Sequence, residues 1–477
     1  QIKFLGASRS VTGSCYLVKT TDCSFLVDCG AFQGDKELLK RNKEDFDFDI
    51  DSIDFVLITH AHIDHSGLLP KLVKYGYNKT IYSTHASIEL MKILLEDSAR
   101  IMKSDCEWKN KKIRKAGEKE EIPLFDEEDV KKCEQLFEKI VYGKQFKPSE
   151  NISITFKDAG HIMGSAIIEL KITENSLKKT IIFGGDLGHK NQAIINDPDI
   201  FKDADVVIIE STYGDRNHKD QTTTNDEIVS VLKDVYNTKG TLLIPAFALG
   251  RTQEIIYRFF ELSEKHNLPK MDIYLDSPMG EKITEIYRTN QDLYDFDARK
   301  YIDSGKHPLY LPLIKFVYTK DQSIKLNDTP GPKIIISSSG MCEAGRIVHH
   351  LKHNIWNPLT QILFIGFQAE NSLGRRIVNG EKKVKIFGEN VNVMAKIHTI
   401  GGLSAHADQK ELLEWLINFK NKKTKIFLVH GEDKSLNALS SEIKNQLGFN
   451  TFIPDYKDIY DLEFLEDETE ISKKINF

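Results

Sequence analysis

A chain of 477 residues with 65 Lys and Arg against 71 Asp and Glu carries a formal charge of −6, and 40% of it is hydrophobic and 29% charged. This is an ordinary globular composition, which excludes a disordered, collagen-like or disulfide-stapled chain and leaves length for two or three domains. The mild acidity argues against a broad basic surface for non-specific nucleic-acid binding but permits a local positive cleft.

No apolar run reaches the roughly 20 residues of a membrane span, and the residues from Gln1 to Gly6 are too short for a secretory leader. Cys15, Cys23, Cys29, Cys106, Cys133 and Cys342 form no CxxC pair, which suits a reducing compartment. The expectation is a cytoplasmic protein without membrane association.

In chain order, apolar runs end abruptly in polar residues at Ser24 to Cys29, Phe55 to His60, Ile181 to Asp186 and Val206 to Glu210, then at Leu242 to Pro245, Ile334 to Ser337, Ile362 to Gly366 and Ile426 to His430. These read as strands. Between them the period becomes helical, as at Ile228, Val231, Leu232 and Val235, at Ile255, Phe259 and Leu262, and at Leu412, Leu416 and Phe419. Alternating strands and helices predict an α/β layered protein with its site at strand ends. The charged stretch from Lys103 to Glu121 predicts an exposed excursion or loose helix, with an RNA-contacting arm as the alternative, since five of the seven residues from Lys109 to Lys115 are basic. The acidic stretch after Asp455 predicts a solvated appendage or terminal helix.

The segment from Phe55 to Gly67 sets a strand before a loop containing His60, His62, Asp64 and His65. Imidazole and carboxylate are ligands for zinc and related ions, and a loop at a strand end can aim alternate side chains at two points. His60 and His62 would serve one ion, Asp64 and His65 a second, with Gly67 freeing the backbone to enter a helix. His161, Asp186 and His430, each beside glycine at a later strand end, are candidates for the remaining ligands.

The motifs HAHIDHSG from His60, GHIMGS from Gly160 and GGDLG from Gly184 resemble the ligand motifs of the metallo-β-lactamase superfamily. Together with the segments from Glu210 to Asp215, Ser404 to Asp408 and Leu428 to Glu432, the chain resembles the β-CASP branch of RNA-processing nucleases from Phe4 to about Asp455. This resemblance implies an αββα metallo-β-lactamase sandwich carrying an inserted α/β β-CASP domain. It places residues 1–213 and 393–477 in the metal lobe and 214–392 in the insertion, with the active site in the cleft between the lobes. It also implies that His60, His62, His161 and a bridging Asp186 hold one Zn2+, that Asp64, His65, Asp186 and His430 hold the other, and that Asp28 orients the ligand loop. Mn2+ is the alternative ion.

The catalytic residues expected on this basis are Asp64, Asp186, Glu210 and His406. His406 would act as leaving-group acid or phosphate ligand oriented by Glu210, ahead of a helix that Asp408 and Glu411 could cap. Ser337, Ser338, Ser339 and Gly340, leading into Arg346, and the segment around Arg251 would hold substrate phosphate. His349 and His353 lie four apart without a carboxylate partner and read as non-metal residues. The function expected is hydrolysis of single-stranded RNA, with His430 favouring RNA over DNA by the same resemblance. Hydrolysis of small thioesters or lactams and a non-catalytic RNA-binding subunit are the alternatives; a homodimer paired through the metal lobe is left open. Some archaeal members of the branch carry N-terminal RNA-binding modules; with a first strand expected at Ile2, none is expected here, and sequence selectivity is expected to be low.

Overall fold

The computed structural model describes residues 1–116, 119–174, 177–218, 221–265, 268–366, 368, 371–401 and 404–462. The chain divides into two compact units. The first comprises 1–190, 197–217 and 406–477, and the second 191–196 and 218–405.

Two seven-stranded sheets form the first unit. One has the spatial order Ile459–Tyr460, Ile2–Phe4, Tyr16–Lys19, Ser24–Val27, Phe55–Leu57, Ile81–Thr84, Phe137–Ile140; the other runs Asn450–Phe452, Lys425–Val429, Val206–Glu210, Leu177–Phe183, Ala166–Glu174, Ile152–Asp158, Phe146–Ser149. Alternation along the strands turns Phe4, Phe25 and Val27 of the first sheet and Phe156, Ile168, Phe183 and Phe427 of the second into one shared core. Each such large side chain contributes about 1.5–3 kcal/mol by burial. On the second sheet's other face, Val207, Ile209, Ile426 and Leu428 pack against Leu412 and Leu416 of the Gln409–Leu416 helix and Leu436 and Leu439 of the Asp433–Glu442 helix. The Gln409–Leu416 helix begins with a capping box between Asp408 and Glu411, which satisfies two of its orphan amides.

The second unit holds a six-stranded, all-parallel sheet in the order Ile314–Phe316, Asp272–Asp276, Lys333–Ser337, Thr241–Pro245, Thr360–Ile365, Lys396–Ile400. Helices connect these strands, and Leu242, Leu243, Ile244, Ile335 and Ile336 are fully buried, as central strands covered on both faces must be. The Lys396–Ile400 strand pairs with Thr360–Ile365, so the chain leaves this unit after Ala405, beyond the Val393 boundary expected from sequence.

The charged stretch from Lys103 is helical as far as Ala116, forming the outer part of a 32-residue helix that begins at His85. Its charges are partly neutralised by the returning chain: Arg114 Nε pairs with Glu120 at 2.7 Å and Lys109 with Glu121 at 3.4 Å. Gly67 does not open a helix. It caps the C-terminus of the Ile63–Ser66 turn with ordinary right-handed backbone, and its missing side chain makes room for Ala31 and Ile63. Residues 463–477, which include most of the acidic tail, and residues 402–403 ahead of Ser404 lie outside the described residues. No helix among the described residues is long and apolar enough to cross a membrane.

Candidate metal centre

All the metal-ligand candidates come from ends of strands or the loops that follow them in the first unit. The Phe55–Leu57 strand delivers His60 and His62, and the short Ile63–Ser66 helix carries Asp64 and His65. This loop is held against its neighbours by close backbone approach. Ser14 N donates to Asp64 O at 2.8 Å, and a Cβ on Gly30 would fall 1.7 Å from that same oxygen. A Cβ on Gly188 would fall equally close to Gly160 O, so glycine is required where the loops bearing Asp186 and His161 touch.

Asp28 and His430 have left-handed backbone, with φ of 59° and 50°. Non-glycine residues adopt this at a cost, and it is tolerated where the surroundings over-determine it. For His430 the surroundings are explicit: its N donates to Ala7 O at 2.7 Å, and its carbonyl accepts from Ser211 N at 3.2 Å.

Three imidazoles meet edge to edge. His62 Nδ1 lies 3.1 Å from His60 Nε2 and 3.2 Å from His161 Nε2. Neutral imidazoles facing one another can share one proton per contact at most, whereas three nitrogens turned to a common point suit a cation. Asp186 Oδ2 is 3.5 Å from His60 Nε2 and 3.6 Å from His161 Nε2. On the other side, Asp186 Oδ1 is 3.3 Å from His65 Nε2 and 3.8 Å from His430 Nδ1, and His430 Nε2 is 3.3 Å from Asp64 Oδ2. Donor atoms of His60, His62, His161 and Asp186 all lie within 4.8 Å of one another, and so do those of Asp64, His65 and His430. Asp186 Oδ1 is buried without an aligned hydrogen bond, a costly condition that a cation would relieve. The donor set therefore fits metal.

Behind the ring of ligand candidates, Asp28 accepts from Thr59 N at 2.8 Å and from the Thr59 hydroxyl at 2.9 Å, and it holds His65 Nδ1 at 2.7 Å. Thr59 Oγ1 is also 3.1 Å from His60 Nδ1. These contacts fix both rings with Nε2 aimed at Asp186, the arrangement by which outer groups set the tautomer of a ligating histidine. Thr59 went unnoticed in the sequence because it reads there as an ordinary strand-end residue.

Charge follows the packing. Burial pushes the pKa values of His60 and His62 down, that of His62 to about 4, so both are neutral and ready to donate lone pairs. Burial would raise Asp64 and Asp186, but the surrounding histidines outweigh it and hold Asp64 at about 2 and Asp186 well below the usual carboxylate range.

Beside this cluster, His406 Nδ1 is 3.0 Å from both oxygens of the fully buried Glu210, and Glu210 also accepts from Leu187 N at 2.8 Å. Burial lowers the His406 pKa, yet the charge and hydrogen bond of Glu210, with Asp186 and Asp64, overcome this and lift it to about 9.

The phosphate-binding candidates belong to the second unit. The Ser337 hydroxyl donates to Asp276 O at 2.9 Å, Ser338 Oγ lies 2.8 Å from Ser277 Oγ, and Gly340 O accepts from Gln368 Nε2 at 3.0 Å. Ser339 N bonds Ala344 O at 3.3 Å. Arg251 pairs with Glu254 one helical turn away. The expected clamp Arg346 is turned inward: Nη1 contacts the buried Asp276 at 2.5 Å and Val317 O at 3.0 Å, and Nη2 reaches Tyr318 O at 3.1 Å. Asp276 is further bound by Ser323 and by His350 Nε2 at 2.6 Å. This network is not visible in the local sequence, since its partners lie on separate elements; the neighbouring His349 packs on Phe387 with ring centroids 4.6 Å apart. The signal available was Asp276 itself, a carboxylate closing an apolar strand before Ser277 and Pro278.

Family models match in three consecutive stretches: the metallo-beta-lactamase superfamily over residues 9–146, the Beta-Casp domain over 252–377, and the Zn-dependent metallo-hydrolase RNA specificity domain over 390–454. Ribonuclease TTHA0252 of Thermus thermophilus is 37% identical over 434 residues, covering 91% of this chain and 94% of that protein. The transcription termination factor FttA of Methanocaldococcus jannaschii is 30% identical over 466 residues, covering 95% of this chain and 70% of the relative. A crystal structure of a protein of unknown function from Enterococcus faecalis V583 shares the fold, with a TM-score of 0.54 at 12% identity over 96% of this chain and 98% of that one. The chain belongs to the β-CASP family of RNA nucleases within the metallo-β-lactamase superfamily.

Proposed function

We propose that this protein is a ribonuclease that hydrolyses phosphodiester bonds of single-stranded RNA with two zinc ions as cofactors, manganese being the alternative ion. The observation that carries this reading is the convergence of His60, His62, Asp64, His65, His161 and His430 around the buried Asp186, with the Glu210–His406 pair alongside. His60, His62, His161 and Asp186 would hold one ion, and Asp64, His65, His430 and Asp186 the other. When bound, such a pair supplies an activated water as nucleophile and offsets charge building on the phosphodiester.

The remaining steps belong to the chain. Asp28 and Thr59 keep the rings of His60 and His65 oriented. His406, with Nδ1 held by Glu210, presents Nε2 on the opposite side of its ring as the proton donor to the departing oxygen, and Glu210 keeps it protonated near neutral pH. Arg251 and the Ser337 to Gly340 loop are the phosphate-contacting candidates, and Arg346 acts on that loop only through Asp276, whose carbonyl accepts from the Ser337 hydroxyl.

The experiment is elemental analysis of the purified protein coupled to digestion of RNA labelled separately at its 5′ and 3′ ends, with a matched DNA. Metal-dependent cleavage of RNA, abolished by Asp64→Ala and strongly reduced by His406→Ala, is expected. Unchanged cleavage by either variant defeats the assignment. Turnover of a small thioester with RNA left intact would favour the other hydrolase class, and a metal-free protein that binds RNA without cutting it would favour a binding subunit.

A further inference from the structure

Strands of an open parallel sheet gather their ligand-binding loops at their C-terminal ends. In the second unit the adjacent strands Thr241–Pro245 and Lys333–Ser337 run in register there, Pro245 opposite Ser337. Immediately beyond them lie Phe247 on one strand's loop and Gly340 on the other's. The two loops are joined by Ala246 N donating to Ser337 O at 3.0 Å.

Phe247 is 45% exposed. A lone exposed phenylalanine is ordinary on a protein surface, so exposure alone decides nothing. Two further features separate this residue from a stray one. Its backbone is clamped, because Phe247 O accepts both Thr252 N at 3.2 Å and the Thr252 hydroxyl at 2.7 Å, from the first turn of the Arg251–Lys265 helix. Its ring also lies against Gly340, where a Cβ would fall 2.8 Å from Cδ2 and Cε2. The glycine admits the aromatic ring, and the opposing loop backs it. Gly340 is in turn tied down by Gln368, and the Ser337 end of the same loop by Asp276.

We propose that Phe247 is a stacking platform for one nucleobase of single-stranded RNA, a base-binding subsite in the second unit; this rests on the ribonuclease reading above. A fixed aromatic ring with an exposed surface suits a base without selecting among bases, since every base has a π face. The ring is set before it is used, so stacking does not have to order a mobile side chain.

The test measures affinity for a single-stranded RNA made uncleavable by a methylene group in place of the departing bridging oxygen at the scissile phosphate, using the metal-loaded protein. Phe247→Ala, Phe247→Leu and Phe247→Trp are compared with the parent, and an abasic site is moved stepwise along the RNA. Phe247→Ala and Phe247→Leu should each lose about 5- to 100-fold in affinity, the range measured when a stacked base loses its aromatic partner, and Phe247→Trp should stay within about threefold. In the parent, one abasic position should cost a similar factor, and in Phe247→Ala that position should cost nothing further. Parent-like binding by Phe247→Leu would mean that apolar packing on Gly340 is its whole role and would overturn the proposal. So would equal sensitivity to the abasic site in parent and Phe247→Ala. A parent protein that neither binds nor cleaves RNA overturns the ribonuclease reading and this subsite with it, whereas a parent that cleaves while Phe247→Ala binds normally overturns the subsite alone.

Discussion

Asp276 of the second unit and Asp186 of the first are both buried at the end of a strand among basic groups, and the two are satisfied in opposite ways. Asp276 in the second unit meets only donors: Arg346 on Oδ1, and Ser323 and His350 on Oδ2. Its histidine is completed in turn, with His350 Nδ1 2.9 Å from Asn327 Oδ1. Asp186 in the first unit has histidines on every side but an unaligned Oδ1, and those histidines point nitrogens at one another. A carboxylate with its hydrogen bonds complete is a brace, whereas a carboxylate among converging lone pairs has the form of a cation site. Histidine beside aspartate thus means different things according to what the second ring nitrogen finds.

The sharpest test of this contrast is Asp186→Ala. It should abolish metal retention and reduce RNA cleavage by on the order of 10³-fold or more, the scale of removing preorganised charge stabilisation; retained metal by elemental analysis would break the distinction. His406→Ala should lower cleavage by about 10²- to 10⁴-fold while metal content holds, since a proton donor is lost and no cage residue. Simultaneous loss of metal would place His406 inside the cage instead.

Asp276→Ala should act on stability and leave metal content intact. Removing it strands His350 and Arg346, and because Arg346 remains partly exposed the cost should be about 3 kcal/mol in urea unfolding, the low end for a broken buried pair. The pH dependence has a definite sign. Burial raises the Asp276 pKa, but His350, Ser323 and Arg346 outweigh it and leave it depressed. Its contribution is therefore complete above the ordinary carboxylate value of about 3.9 and is lost as pH falls through the lower folded value. Unfolding followed from pH 5 downward should show a decline in the parent that Asp276→Asn lacks. The smallest effect expected is from Asp28→Asn, which keeps the cage but disturbs the carboxylate behind His65; metal affinity should fall about 10- to 100-fold in competition with a chelator.

Much of the candidate site was legible because its densest part is contiguous: His60, His62, Asp64 and His65 follow one apolar strand, and a strand-end loop brings them together. The sheets were legible for a similar reason, as runs such as Val206 to Ile209 are apolar throughout and bounded by the charged Asp205 and Glu210. What escaped notice depends on partners far apart in the chain. Arg346, placed after glycine at a helix start, has the local form of an anion site, and nothing nearby shows that Asp276, on another strand, takes its guanidinium. Gly67 has the local form of a residue that frees the backbone, yet its reason is steric, the close approach of Ile63 and of the distant Ala31. The unit boundary at Ala405 depends on one strand pairing with Thr360–Ile365, a long-range choice that periodicity does not encode.

The interrupted first unit has a consequence in time. Glu210 is made before the main stretch of the second unit, 218–405, but His406 and His430 follow that stretch, so during synthesis the candidate site stays open on one side until the whole insertion has been translated. In a growing chain the candidate site is thus incomplete until the insertion has been translated and the Lys425–Val429 strand, which delivers His430, has been made.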